Sequence, residues 1–291
     1  MISHVTVHSA VVSLSVVFSF WLQPTTSVFG EGLFPDSALD SAVRQEVFAK
    51  RNNLEPLTIE DVAKISRVVL KGQNANRKNI ESLEGLQHCK SLMEIDLENN
   101  EIVDLLPIRD LKLLQKVTLA GNKITSLEPL AGLEAIQYLD VSRNQITQLD
   151  AIGSMRNLRS LYFETNQVHS LTPIVACKRL WSLYGGKNPL QDFSAISSLS
   201  NVDTLHLQET GFSDLNLLKG LHQLKNLQLQ GNQVADLGPL VQMCEEDATG
   251  KKRFAAYLRV NLGKNPLKEA SQSEQMDKLR KIGVRVSVDN D

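Results

Sequence analysis

From Leu92 onward the chain repeats one arrangement of apolar and polar positions, L-x-x-L-x-L-x-x-N, with its last slot recurring every 22 residues at Asn100, Asn122, Asn144, Asn166, Asn188, Thr210 and Asn232. Leu92, Ile95 and Leu97 precede Asn100, Leu114, Val117 and Leu119 precede Asn122, and the series runs on to Leu224, Leu227 and Leu229 before Asn232. Apolar residues alternate with polar ones in the L-x-L stretch, which is the period of a strand with one buried face. Behind each asparagine a second apolar set, such as Ile102, Leu105, Ile108 and Leu111, fills a return path. A unit this short cannot bury its own apolar side, so the pattern predicts a solenoid of stacked coils.

The register specifies the fold class: an α/β solenoid of leucine-rich repeats, a right-handed superhelix with a parallel concave β-sheet and a convex side of turns or 3-10 helix. Two degenerate coils extend it, one with Ile65, Val68, Leu70 and Gln73 in the asparagine slot, and a last one with Tyr257, Val260, Leu262, Asn265 and Leu267, for nine coils in all. The solenoid is expected over 65–267, with an insertion at 244–254. Glu245, Glu246 and Asp247 followed by Lys251, Lys252 and Arg253 lack apolar periodicity, which predicts a solvated loop. End coils expose a core cross-section unless capped. A helical cap is expected over 31–64, where Asp36 caps a helix whose Leu39, Ala42, Val43 and Val47 share a face and Thr58 with Asp61 starts another. A helix–strand cap over 268–291 turns Met276 and Leu279 inward, stops at Gly283 and ends on alternating Val284, Val286 and Val288.

The asparagine column, completed by Asn265, has a structural task. Where each strand leaves the sheet, backbone N–H and C=O groups face inward without ladder partners, and an amide can both donate and accept. Thr210 lacks that double capacity and predicts a less tightly tied coil. Cys89 and Cys177 occupy the same inward slot as Leu111 and Leu133, far too distant along the stack to bond, and Cys244 lies farther on, so free thiols are expected.

Residues 1–30 contain no Asp, Glu, Lys or Arg, and Ala10 to Leu22 are almost wholly apolar. That stretch fits a signal-peptide core with Ser27 or Gly30 near a cleavage point, and predicts export with no stable membrane span once the leader is removed. The other reading is a leader that stays attached to a cytoplasmic protein. A net charge of −2 gives no general attraction to nucleic acid, which is set aside as a partner.

Function must then come from the sheet positions that alternate with the leucines. The central column reads Val69, Asp96, Thr118, Asp140, Tyr162, Tyr184, His206, Gln228 and Asn261. Three of the four tyrosines, Tyr138, Tyr162 and Tyr184, fall on this face in consecutive coils, with Trp181 at a strand edge. Folding does not demand aromatics there, whereas binding hot spots are rich in them. The candidate partner-binding set is Tyr138, Asp140, Tyr162, Glu164, Trp181, Tyr184, His206 and Gln208. A structural aromatic ladder is the alternative reading. Glu94, Asp96 and Glu98 crowd one strand and call for basic neighbours, such as Lys116 and Arg143, a partner, or water. Gly185 vacates an inward slot, to be filled by Trp181 or Phe163, or else to admit a ligand group beside Tyr184. The chain carries no G-x-S-x-G, P-loop, H-E-x-x-H or C-x-x-C, and no loop with a calcium ligand order, so neither catalysis, a cofactor nor a metal is expected.

The helical cap, the 22-residue coils with N-x-I-x-x-L after the strand, and the L-x-P-L of Leu127 to Leu130 together resemble the internalin-type repeats of bacterial surface proteins. The coil length is also similar to that of the repeat-containing regulatory subunit of protein phosphatase-1. The first resemblance implies a monomer whose concave face binds a protein or glycan, located outside the cell, in the periplasm or at the surface. The second implies instead a cytoplasmic scaffold holding an enzyme such as a phosphatase.

Overall fold

The computed structural model describes residues 32–72 and 78–288, so the apolar leader and Gln73 lie outside the described residues. Asp36 opens helix α1 (Ser37–Glu46): its Oδ1 accepts from the N–H groups of Ala38 at 2.9 Å and Leu39 at 3.1 Å. Its Oδ2 accepts from Glu81 N at 2.8 Å and Ser82 N at 3.2 Å, which ties the cap to the first coil. Ala38, Leu39, Ala42 and Val43 form the buried side of α1. Thr58 and Asp61 cap α2 (Ile59–Val62) reciprocally, with Thr58 N donating to the Asp61 carboxylate at 2.8 Å.

Each coil contributes one short strand: β1 (Arg67–Val69), β2 (Glu94–Asp96), β3 (Lys116–Thr118), β4 (Tyr138–Asp140), β5 (Ser160–Tyr162), β6 (Ser182–Tyr184), β7 (Thr204–His206), β8 (Asn226–Gln228) and β9 (Arg259–Asn261). They pair in parallel, in sequence order, and β10 (Arg285–Ser287) from the C-terminal cap joins as the tenth strand among the described residues. Register is maintained without slips, so Val117 stands beside Leu139, then Leu161, Leu183 and Leu205. The strand leucines and the return-path residues meet in one continuous core, in which Phe163, Phe212 and Phe254 are the largest buried side chains. Return paths run mostly through 3-10 turns, as the register implied.

The asparagine column does the work expected of it. Asn122 Nδ2 donates to Leu97 O of the preceding coil at 3.0 Å and to Leu119 O of its own at 2.9 Å, while its Oδ1 accepts from Ile102 N at 3.0 Å. Asn144, Asn166 and Asn188 repeat this set. Thr210 makes no bond to the preceding coil: its Oγ1 lies 2.8 Å from Leu207 O of its own coil and 3.2 Å from Asn232 Oδ1 of the next. Leu190 N, which by analogy would bond to a side chain at 210, turns to Asn188 O instead. On its far side Asn232 compensates, its Oδ1 accepting from Thr210 N, Gly211 N and Phe212 N. The residue before each of these slots takes a positive φ, from Asn99 at 58° through Thr165 at 56° to Lys264 at 59°. Only Gly121 and Gly231 meet that demand without steric conflict. At Thr165 the β-branched side chain is held in a conformation it disfavours.

Two expectations fail. The 244–254 region is no loop at its start, because α3 (Gly238–Thr249) runs into it with Leu240, Val241, Met243, Cys244 and Asp247 buried. The charges had masked a helical stripe. Asp247 is turned inward to accept from Arg253 N, Phe254 N and Ala255 N at 2.9 to 3.0 Å. Burial raises its pKa, but these bonds outweigh it and leave the carboxyl below its usual range. In the last coil Leu258 is fully buried and Tyr257 is 69% exposed, so Tyr257 does not fill the inward slot. A 3-10 turn over Ala255–Tyr257 shifts the entry to that strand by one residue. Leu267 is only half-buried.

The C-terminal cap follows its pattern: α4 (Met276–Ile282) buries Met276 and Leu279, and Gly283 ends it at φ 106°. Cys89, Cys177 and Cys244 are buried free thiols, and burial pushes them up to about 12, 11 and 12 respectively. Among the described residues no helix is long and apolar enough to cross a membrane.

Candidate binding face

In a parallel in-register sheet, equivalent residues of neighbouring coils stand about 4.8 Å apart, close to ring-stacking distance. Asp140, Tyr162, Tyr184, His206 and Gln228 accordingly form one file on β4 to β8. Tyr162 and Tyr184 stack with centroids 4.3 Å apart at 21°, and Tyr184 meets His206 at 4.0 Å and 55°. Tyr138 comes from the adjacent file, where Ser160 is its register partner, and reaches diagonally to Tyr162 at 5.2 Å. These rings form a continuous half-buried ladder, bordered by Ser160, Ser182, Thr204 and Asn226.

The ladder is uncharged near neutral pH. Burial, reinforced by the Asp140 carboxylate, pushes the Tyr138 hydroxyl up to about 12, and burial raises Tyr162 and Tyr184 as well. Burial lowers His206 to about 4, so its imidazole is neutral. The Asn226 side chain lies 3.1 Å from His206 Nε2, and a neutral ring accepts there from the amide. Gln228 Nε2 donates in turn to Asn226 Oδ1 at 2.7 Å. Asp140 borders the aromatic run: burial raises its carboxyl, and the N–H of Ser142 at 3.0 Å opposes that shift.

Of the residues singled out from sequence, Tyr138, Asp140, Tyr162, Tyr184 and His206 are brought together. Glu164 and Gln208 are instead engaged with each other, Gln208 Nε2 donating to Glu164 across the intervening coil. Gly186 makes that crossing possible, since a Cβ there would lie 2.3 Å from Gln208 Cδ. Trp181 stands apart from the ladder: it is 54% exposed, with the Arg159 guanidinium 5.7 Å from its ring centre. The vacant slot at Gly185 belongs to the core. A Cβ there would fall 2.4 Å from Phe163 Cζ, so the phenylalanine ring occupies the space and no ligand group is admitted. Asn226 and Gln228, which extend the ladder, were legible only as polar members of their columns.

The acidic end of the face is answered from within. Glu94 pairs with Lys116 at 2.7 Å, Lys71 lies 3.4 Å from Asp96 and 3.2 Å from Glu98, and Arg143 reaches Glu98 at 3.0 Å. Three acceptor oxygens, Asp96 Oδ1, Gln208 Oε1 and Gln230 Oε1, are buried without a hydrogen-bond partner among the described residues. No group of three or more metal-ligating side chains occurs among the described residues. A concavity of about 830 Å³ lies away from the ladder on the return side, between Thr147–Asp150 and His169–Ala176.

A family profile described as "Leucine rich repeat" matches residues 112–168, the stretch holding β3 to β5. No curated protein matches the chain significantly. Among solved structures, internalin C2 from Listeria monocytogenes is 29% identical with a TM-score of 0.68, covering 72% of this chain and 91% of its own. A leucine-rich-repeat protein from Leptospira interrogans is 18% identical with a TM-score of 0.57, covering 88% and 77%. The plant peptide hormone receptor RGFR1, solved in complex with RGF2, is 21% identical with a TM-score of 0.58, covering 73% of this chain and 34% of the receptor. At those last two identities the likeness is one of fold. None of these three is a phosphatase regulatory subunit, and that resemblance stays with the sequence. The chain thus folds as a leucine-rich-repeat solenoid, with the repeat profile matched over 112–168, and that solenoid is similar to the one of internalin C2.

Proposed function

We propose that this protein is an exported, non-enzymatic recognition module whose concave sheet binds a protein partner along Tyr138, Tyr162, Tyr184 and His206. The observation that carries the reading is the half-buried aromatic ladder, uncharged and flanked by hydroxyl and amide side chains. Such amphipathic surface can be desolvated at little electrostatic cost and still offers hydrogen bonds, the character of binding hot spots. The geometry favours a protein over a glycan. A sugar docks on an open ring face, but Tyr162 and Tyr184 each have a ring neighbour on either side, at centroid distances of 4.0 to 5.2 Å. The fold likeness to internalin C2 and to a receptor solved with its hormone supports recognition as the role.

The test is affinity capture with the full chain from a protein extract, repeated with Tyr162→Ala plus Tyr184→Ala and with Val175→Ser on the return side. The double variant should lose the partner and Val175→Ser should keep it; retention by the double variant overturns the reading. Removing those rings also breaks stacking contacts worth about 1 kcal/mol each, so capture is compared well below the variant's unfolding transition. For export, mass spectrometry of the mature protein should find a start near Ser27 or Gly30, and an intact Met1 on cytosolic protein counts against it.

A further inference from the structure

The file that carries Tyr138 runs from Arg67 through Glu94, Lys116, Ser160, Ser182, Thr204 and Asn226 to Arg259 and Arg285. Cations at its start are answered by carboxylates: Arg67 meets Glu46 at 3.1 Å and Lys116 meets Glu94 at 2.7 Å. Lys71 and Arg143 beside it are likewise paired with Asp96 and Glu98. At the other end Arg259 and Arg285 are direct register partners on β9 and β10, both exposed, and neither has an ion pair among the described residues. Like charges opposite one another on neighbouring strands repel, and this pair stands in a protein whose net charge is −2, so it is no part of a generally basic surface.

The two arginines border a pocket of about 300 Å³ with Lys225, Asn226, Ala256 and Tyr257. Lys225 keeps only a 3.5 Å contact with Asp203. Tyr257 is the side chain that Leu258 displaced from the core, and it stands 69% exposed at the pocket. Asn226 belongs both to this pocket and, through His206, to the aromatic ladder. The pocket is therefore continuous with the proposed binding face.

We propose that this pocket is an oxyanion site, in which Arg259 and Arg285, aided by Lys225, hold a carboxylate or a phosphate or sulfate ester carried by the bound protein. Guanidinium forks present paired N–H donors whose spacing matches the oxygens of such groups, and a second cation alongside raises the local potential. The proposal rests on the recognition reading above and adds to it a charge requirement: the partner carries its anionic group at the end that lies over β8 to β10. Near β2 the described cations Lys71, Lys116 and Arg143 are each paired with an acid.

The test uses the full chain and short fluorescent peptides of one sequence bearing, at the centre, two glutamates, one phosphoserine, one sulfotyrosine, or two glutamines, with binding followed by anisotropy at low and high salt. At least one anionic peptide should bind, weakening as salt rises, and the glutamine peptide should not; which of the three binds tightest identifies the oxyanion. Arg259→Gln with Arg285→Gln should weaken binding at least tenfold, while Lys251→Gln leaves it unchanged. The Tyr162→Ala, Tyr184→Ala variant should retain the anionic peptide even as it loses the partner, which separates failure of this site from failure of the ladder. Equal binding by the arginine variant, equal binding of the neutral peptide, or no binding of any anionic peptide would each overturn the proposal.

Discussion

The asparagine column and the tyrosine column climb the same coils, one just inside the turn and one on the open face. Each asparagine is dictated by the backbone: Asn144 donates to Leu119 O and Val141 O at 3.0 Å, sharing them with Asn122 and Asn166, and accepts from Ile124 N at 3.0 Å. The tyrosines answer no such demand. Elsewhere in their file stand Asp96, Thr118, Gln228 and Asn261, and the strands pair in the same register. Repetition enforced by unsatisfied backbone is structural, whereas local enrichment at a position the backbone leaves free is what the proposed binding role accounts for.

The strongest way to break that contrast is Asn144→Ala. It leaves Ile124 N unpaired and removes one of two donors from Leu119 O and Val141 O, and should destabilise the solenoid by roughly 1 to 3 kcal/mol, seen as a lower urea midpoint. A loss no larger than that from a single ladder tyrosine would erase the distinction. Next comes Gly185→Ala, one residue from Tyr184 but on the opposite side of the sheet. Its methyl group meets Phe163, so stability should fall by about 1 to 3 kcal/mol, and Phe163→Leu should restore part of it. No rescue would mean that the vacancy does not serve the core. The smallest effect is protonic. His206 has its folded pKa near 4, below the ordinary 6.5, so the unfolded chain takes up its proton first as pH falls. The contribution of this residue is present above about pH 6.5 and drains away towards pH 4, and an NMR titration of its ring should show a midpoint near 4. A midpoint close to 6.5 would place the imidazole in open solvent, outside the ladder.

Legibility followed periodicity. The coils, both caps, the asparagine bonds and the shared face of Tyr138, Tyr162 and Tyr184 could all be read, because a fixed repeat converts positions in the chain into positions in space. Where the period lapses, the reading lapsed with it. The charges of Glu245, Glu246 and Asp247 hid a helix, because Asp247 is buried to collect three backbone N–H groups rather than exposed to water. Tyr257 was placed inside because a one-residue shift in the entry turn leaves no mark in the leucine pattern. Glu164 and Gln208 looked like free recognition groups until the absence of a side chain at Gly186 let them join.

Sequence alone was sufficient for the architecture: apolar spacing set the coil, the asparagines set the turn, and the register decided which residues share a face, since all three depend on interactions repeated in every coil. Only the tertiary structure decided which side chains on that face remain available. Pairing of Lys71, Lys116 and Arg143 with acids, the flanking of each ladder tyrosine by its ring neighbours, and the isolation of Arg259 beside Arg285 depend on how long side chains reach between coils, and rotamers obey no 22-residue rule.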